Sequence, residues 1–191
     1  MKTKLLVCGF IALGVSHGAN GEEAAPQALS QARVIVGEFS TALKSTLKPA
    51  MQQQGPVAAI NVCRDVAPSI AQQFSTTTPW QVSRTSLKYR NPENAPDRWE
   101  AATLKRFAQQ QAQGQSVTTL DHWQVITENG QKTLRYMKAI PTAAKPCLAC
   151  HGSDIKPKIQ AQLTQHYPMD KATGYQAGDI RGAFSLRRVI E

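Results

Sequence analysis

Residues 121–140 read DHWQVITENGQKTLRYMKAI, and the tetrapeptide Glu128-Asn129-Gly130-Gln131 separates two runs of alternating apolar and polar residues. Asn-Gly between alternating runs is a strong sign of a β-hairpin, because both central positions of the tight turn need a positive φ. We therefore predict strands over 121–127 and 132–140. A hairpin here indicates an antiparallel sheet and argues against an all-helical bundle.

The hairpin is followed closely by Cys147-Leu148-Ala149-Cys150-His151. This is the Cys-x-x-Cys-His pattern of covalent c-type haem attachment, in which two thiols bind the porphyrin vinyl groups and the imidazole binds the iron. We predict one covalent haem c, held by Cys147 and Cys150, with His151 as an axial ligand.

Three other interpretations of the motif are weaker. A zinc site would need a second pair of ligands at zinc-like spacing, and the sequence has none. A thioredoxin-type pair needs a strand-to-helix setting, whereas Pro141, Pro146 and Gly152 predict a loop. A disulfide across a two-residue spacer would close a strained ring. Haem attachment is the best interpretation.

The N-terminus has the form of a signal peptide. A basic start, Met1 to Lys4, precedes an apolar run from Leu5 to Val15, and small residues follow. We predict a signal peptide over residues 1–21, with cleavage after Gly18 or Gly21, and a periplasmic mature protein without a transmembrane segment. Loss of Cys8 would leave Cys63 as an odd thiol beside the two motif cysteines.

The chain has a formal net charge of +9 at pH 7. A basic surface favours acidic partner proteins or anionic membranes, although solubility alone explains such a charge equally well. No run of Lys and Arg of the kind that binds nucleic acid occurs, so we expect no nucleic-acid partner.

Two helical patterns precede the sheet. Residues 24–51 carry an apolar stripe at three- and four-residue steps, and this helix could pack on the domain or pair with a second copy in a homodimer. We divide the chain into the signal peptide, an N-terminal helix over 22–55 and a domain over 56–191. The next helix starts at Pro56 and turns Cys63 toward its apolar face, and Pro68 should interrupt it just after Cys63.

The remaining elements complete an α+β layout. We predict a strand over 79–86, a loop over 90–96, a helix over 98–113 capped by Asp97, a helix over 157–167 and a closing strand over 181–190. The order predicts an antiparallel sheet flanked by helices.

Three segments together carry a resemblance to a known family: 58–63, 84–100 and the motif at 147–151. They resemble the c-type haem proteins of PAS-like fold, long catalogued as a domain of unknown function, which occur as free periplasmic proteins and as sensor modules of histidine kinases. The resemblance implies a PAS-like antiparallel sheet, a single haem c, and a second axial ligand that can be a cysteine on an N-terminal helix. Cys63 matches that position.

The sixth iron ligand has several candidates in the sequence: Cys63, His122, His166, Met51, Met137 and Met169. From the residues alone, Cys63 is as well explained as a small buried apolar residue. With the resemblance, it becomes the preferred ligand. Arg84, Lys88 and Arg90 are candidates to bind the haem propionates, and a solvated basic loop is the alternative.

A thiolate ligand would lower the reduction potential relative to a methionine, because its negative charge stabilises ferric iron. We expect electron transfer with an acidic redox partner, or alternatively redox or gas sensing by a change of axial ligand, with a membrane-bound signalling partner. A six-coordinate iron has no open position, so we expect no enzymatic activity.

Overall fold

A four-stranded antiparallel sheet forms the centre of the computed structural model, which describes residues 20–190, with side chains from residue 25 onward. Its strands are β1 (Gln81–Thr85), β2 (Asp121–Glu128), β3 (Gln131–Pro141) and β4 (Ile180–Val189), in the spatial order β1-β4-β3-β2. The predicted signal peptide and Cys8 fall almost entirely outside the described residues, so they stay predictions.

Six helices surround the sheet: α1 (Asn20–Gln53), α2 (Pro56–Asn61), α3 (Ala67–Thr77), α4 (Arg98–Ala112), α5 (Leu148–His151) and α6 (Pro157–His166). A π-helical turn, Val62–Val66, joins α2 to α3, and short 3₁₀ turns occupy Pro92–Asn94 and Val117–Thr119. The predicted α+β fold with a PAS-like antiparallel sheet, flanking helices and a long N-terminal helix is confirmed. No helix within residues 20–190 is long and apolar enough to cross a bilayer.

The predicted hairpin between β2 and β3 is confirmed. Glu128 pairs with Gln131 across a two-residue turn, in which Asn129 and Gly130 have φ of 51° and 79°. These are the positive values that a two-residue turn of type I′ requires.

The two faces of the sheet are covered by different helices. One face packs on α1, and its core contains Phe39 of α1, Trp80, and Leu134, Tyr136 and Leu186 of the central strands. The predicted stripe of α1 therefore packs on the domain and shares its core. The other face carries Met137 and Ala183 and packs on Leu104 and Phe107 of α4.

The start of α4 follows the sequence prediction closely. Asp97 accepts a hydrogen bond from the Glu100 N–H at 2.8 Å, and Glu100 accepts one from the Asp97 N–H at 2.9 Å, which together form a capping box. The helix begins at Arg98 for this reason.

A third apolar cluster lies beyond the sheet and joins α2 to α6. It contains Ile60, Ile159, Leu163 and Tyr167, and Cys150 packs against it. This cluster brings the second helical segment of the sequence next to the Cys-x-x-Cys-His motif.

Candidate haem site

The Cys-x-x-Cys-His motif forms a single helical turn within the loop that the sequence predicts. The Cys147 carbonyl oxygen accepts hydrogen bonds from the N–H groups of Cys150 at 3.2 Å and His151 at 3.0 Å. Gly152 ends the turn, and a Cβ atom there would lie 2.7 Å from the Leu148 carbonyl oxygen. The turn brings both thiols and the imidazole of the motif to one place.

The His151 imidazole is oriented by a backbone carbonyl from a distant part of the chain. Its Nδ1 lies 2.7 Å from the Ala172 carbonyl oxygen. A carbonyl only accepts hydrogen bonds, so Nδ1 carries the proton and the Nε2 lone pair is free to bind a metal. Among the described residues, Nε2 has no hydrogen-bond partner.

The His151 side chain is held in its neutral form. Burial, together with the positive charges of Arg181 and Arg90, lowers its pKa well below the ordinary value. A neutral imidazole is the form that binds iron.

Residues 172–175 hold the motif from one side. The Tyr175 N–H donates to the His151 carbonyl at 2.9 Å, and the Gly174 N–H donates to the Gly152 carbonyl at 3.0 Å. The Tyr175 ring also meets the His151 ring edge to face, with 6.3 Å between the ring centroids. The proximal side of the site is therefore built by a segment outside the motif.

Arg90 lies at the site, and its guanidinium bonds to protein groups. Its Nε pairs with the Asp170 carboxylate at 3.0 Å, and its Nη2 donates to the carbonyls of Cys150 and Ala172, the latter at 3.2 Å. Both partners of the ion pair are 10% exposed. Arg90 thus ties the motif to the segment that orients His151.

Lys88 is exposed, and its ammonium also bonds to protein groups. Its ammonium donates to the Thr173 carbonyl and lies 4.5 Å from the centroid of the Tyr175 ring. Lys88 therefore fixes the same segment from the solvent side.

Arg84 differs from Arg90 and Lys88 because it has no bonding partner. It is half-buried on β1, and within residues 20–190 it forms no hydrogen bond and no ion pair. Burial lowers the pKa of its guanidinium, while its nearest electrostatic partners are Cys63 and Tyr167. A half-buried, unpaired cation is costly unless a ligand anion binds it.

Arg181 is a further residue of the site, which the sequence pattern does not indicate. Its Nη1 lies 3.4 Å from Ser86 Oγ and 3.5 Å from the Lys88 carbonyl, and its guanidinium carbon is 5.3 Å from the Tyr175 ring centroid. Burial lowers the pKa of Arg181, and the nearby Arg90 and Arg84 lower it further. Only the pairing of β4 with β1 brings Arg181 to the site, so no local sequence signal could have identified it.

Cys63 lies on the π-helical turn, where the Ala67 N–H donates to the Val62 carbonyl five residues earlier. The sequence predicts that Cys63 lies on the apolar face of its helix; in the structure the thiol is accessible to solvent, and its electrostatic neighbours are Cys147 and the arginines Arg84, Arg90 and Arg181. The inserted residue of a π turn rotates the face of the helix, and Pro68 restarts α3 directly after it.

Solvent reaches the Cys63 thiol. The protein around it nevertheless excludes enough water to raise the pKa of the thiol. The positive charges of Arg84, Arg90 and Arg181 act in the opposite direction. Cys63 and Cys147 influence each other electrostatically, as do Cys63 and Cys150. Ile60, three residues before Cys63, lies in the apolar cluster against which Cys150 packs, so the two segments lie side by side.

The two histidines among the sixth-ligand candidates, His122 and His166, each contact another side chain. His122 stacks on the Trp99 ring with 5.8 Å between the centroids, and His166 Nδ1 lies 2.6 Å from Arg64 Nη1.

The methionine candidates also have other surroundings. Met137 is fully buried in the core under α4, Met169 is 59% exposed, and Met51 lies in the last turn of α1. Among the sixth-ligand candidates, Cys63 has the motif residue Cys147 among its electrostatic neighbours.

The chain is an α+β domain in which helices cover both faces of a sheet and a Cys-x-x-Cys-His turn forms the candidate site. The sequence model of the Tll0287-like family matches residues 21–188, and the chain belongs to this family, as the sequence resemblance predicted.

The structure is similar to the crystal structure of the cyanobacterial heme-protein Tll0287, with a TM-score of 0.67 and 23% identity, over 87% of this chain and 97% of that one. At this identity the similarity establishes the fold. No curated protein matches the chain.

Proposed function

We propose that this protein is a periplasmic monohaem c-type cytochrome that acts in electron transfer. The observation that carries the proposal is the Cys-x-x-Cys-His turn, in which Ala172 orients His151 and leaves the Nε2 lone pair free, with the helical segment of Cys63 packed beside it through Ile60 and Cys150. The bound haem would supply a one-electron couple at iron. The residues around the motif then have distinct roles toward it.

The donor set fits a covalent haem with two axial ligands. Cys147 and Cys150 are free thiols three positions apart on one turn, as thioether attachment requires. Neutral His151, with Nδ1–H bonded to Ala172, would supply one axial ligand through Nε2. Cys63 would supply the other as a thiolate, since a coordinating metal removes the proton of a thiol.

The charges near the motif fit a dianionic ligand. Arg90 is paired with the Asp170 carboxylate, whereas within residues 20–190 neither Arg84 nor Arg181 forms an ion pair. These two guanidinium groups are therefore available to pair with the two haem propionates. Arg84, which was predicted for this role, and Arg181 are therefore assigned to the propionates. Lys88 and Arg90 were also predicted to bind the propionates. They would instead act indirectly, by holding the motif and the segment that orients His151.

A redox or gas sensor is the second candidate, and the raised pKa of the Cys63 thiol favours it, because a thiolate released from iron would readily take up a proton. Burial raises the pKa of this thiol, and a thiol that holds its proton at Sγ is a weak iron ligand. A ligand that is released on a change of redox state or on gas binding would change the position of the π-helical turn. A membrane-bound signalling partner would detect such a change.

Covalent attachment is tested by a pyridine haemochrome assay on denatured protein washed with acid acetone. Retained haem supports the proposal, and loss of all haem would refute it. Cys147→Ala and Cys150→Ala together should abolish retention. Fractionation of the native host, with N-terminal sequencing of the mature chain, tests export and the predicted cleavage after Gly18 or Gly21.

The axial ligand is tested by absorption and electron paramagnetic resonance spectra of Cys63→Ala. The low-spin thiolate signature should disappear, while it should persist in the matched control His122→Ala. An unchanged spectrum of Cys63→Ala would remove Cys63 as the ligand. Carbon monoxide then separates the two functions, because ready binding by the reduced wild-type protein would favour the sensor.

A further inference from the structure

Two loop segments, residues 87–90 and 169–174, lie side by side, and we call this pair of segments the ribbon. The Lys171 N–H donates to the Tyr89 carbonyl at 3.0 Å, Arg90 pairs with Asp170 at 3.0 Å, and the Lys88 ammonium donates to the Thr173 carbonyl. Three successive hydrogen bonds and ion pairs hold the two segments together, so the ribbon is a defined surface.

The inner side of the ribbon contacts the motif directly. The Ala172 carbonyl accepts from His151 Nδ1, and the Gly174 N–H donates to the Gly152 carbonyl. Lys171, next to Ala172, is exposed on the outer side. A partner that contacts Lys171 is therefore separated from the proposed iron ligand, His151, by one peptide unit and one hydrogen bond.

The outer side combines apolar and positively charged groups. Leu87 and Met169 are 45% and 59% exposed, and Lys88 and Lys171 are exposed beside them. The one carboxylate of the ribbon, Asp170, is buried and paired with Arg90. The ribbon therefore presents an excess of positive charge to solvent. Beside it lie the apolar side chains of Leu87 and Met169, whose burial by a partner would be favourable.

Both lysines are held in place before any partner binds. The Lys171 ammonium lies 4.6 Å from the Tyr89 ring centroid and 2.9 Å from the Tyr89 hydroxyl, and Lys88 lies over Tyr175 in a similar way. Cations that are already ordered lose less side-chain entropy on binding a carboxylate than free lysines do.

We propose that the outer side of the ribbon is the docking surface for an acidic redox partner protein. The inference rests on the proposed electron-transfer function and names the partner's site. Charge complementarity would orient the partner and raise the association rate, while the small apolar area around Leu87 and Met169 would keep the complex short-lived. One electron passes between the partner and the bound haem, and no bond forms or breaks in the ribbon.

The first test is a zero-length cross-linking map with an acidic probe protein. Flavodoxin, a strongly acidic flavin carrier, is incubated with the haem-loaded protein and a carbodiimide, which joins lysine amines to carboxylates. We expect cross-links to concentrate on Lys88 and Lys171. Cross-links spread evenly over these and the exposed lysines Lys44, Lys48 and Lys105, or no cross-links, would overturn the proposal.

The second test compares two charge reversals of equal size. In Lys88→Glu/Lys171→Glu the second-order rate of electron exchange with reduced flavodoxin at low ionic strength should fall about tenfold or more. In the control Lys44→Glu/Lys48→Glu, on α1, it should change far less. Equal slowing in both variants would mean that net charge alone matters and would overturn the proposal.

Three further measurements make these outcomes interpretable. Lys171→Glu alone, which keeps the Lys88 bond to Thr173, should slow exchange in the same direction if the double variant does not fold. Wild type without retained haem would refute the proposed function, whereas intact haem with equal rates would refute the docking surface alone. Binding to phosphatidylglycerol vesicles that the ribbon reversal abolishes, with unchanged flavodoxin rates, would assign the surface to a membrane instead.

Discussion

The Nδ1 atom of His151 lies 2.7 Å from the carbonyl oxygen of Ala172, so the orientation of the motif histidine is set by a residue far along the chain from the motif. Ala172 is in turn fixed by Arg90, which donates to its carbonyl, and by Asp170, which accepts from its N–H at 2.7 Å. Arg90 and Asp170 therefore support the proximal side of the proposed site, and their ion pair can be tested by stability measurements.

Arg90→Met should destabilise the protein by about 3–5 kcal/mol, because it leaves the buried Asp170 carboxylate without its partner. The measurement is urea unfolding followed by circular dichroism. Arg33→Met is the matched control, since Arg33 is 53% exposed in its ion pair with Asp121 and should cost less than about 1 kcal/mol. Similar losses in the two variants would contradict the structural role given to Arg90.

Gly182→Ala should disrupt the junction between β1 and β4. Gly182 has φ of +155°, and a Cβ there would lie 2.3 Å from the Thr85 carbonyl oxygen, which is backbone and cannot move aside cheaply. We expect a loss of about 2 kcal/mol or more in urea unfolding, and reduced haem retention because Arg84 and Arg181 flank this contact.

Gly37→Ala is the control for that substitution. Nothing lies within 4 Å of a Cβ at Gly37, which is inside α1, so alanine there should stabilise the protein by about 0.5–1 kcal/mol. A neutral result for Gly182→Ala would mean that the two strands do not approach each other this closely.

Asp97 should contribute stability that depends on pH. Burial alone would raise the pKa of its carboxyl, but hydrogen bonds from the Glu100 N–H and from Arg135 outweigh burial and lower it. A lowered pKa in the folded state means that the contribution is complete above the ordinary value of 3.8 and is lost as the pH falls below it.

Asp97→Asn should therefore cost about 1 kcal/mol at pH 7, and its difference from wild type should shrink below about pH 4. Glu100 and Glu128 also face Arg135, at 3.5 and 3.0 Å, and are present in both proteins. Urea unfolding of the two proteins between pH 3 and 7 measures this. A difference that grows toward low pH would mean that the Asp97 carboxyl has a raised pKa in the folded state.

Arg84→Gln and Arg181→Gln should each lower the reduction potential of the proposed haem by tens of millivolts, because loss of a nearby positive charge favours ferric iron. Potentiometric titration followed by the visible spectrum gives the shift. Arg188→Gln, beside Gln31 of α1, is the control and should leave the potential nearly unchanged. An unchanged potential in both site variants would contradict the assignment of Arg84 and Arg181 to the propionates.

The hairpin, the Asp97 cap and the helical stripe of α1 could be predicted because each depends on neighbours in sequence. Asn129-Gly130 needs only its own backbone geometry, and the capping box needs residues three positions apart. The solvent accessibility of Cys63 could not be predicted in the same way. It depends on a π-helical turn and on how segments far along the chain pack near it, which periodicity does not encode.

The sequence by itself determined the fold class, the Cys-x-x-Cys-His motif and the choice of Cys63 as a candidate ligand, because these follow from local backbone chemistry, from residue spacing and from the family resemblance. Only the tertiary structure decided which groups meet at the motif. It brought Arg181 beside Arg84 through the register of β4 on β1, and it engaged Arg90 in supporting His151. The physical reason is that contacts between distant segments depend on how apolar faces pack and strands pair, which no local pattern encodes.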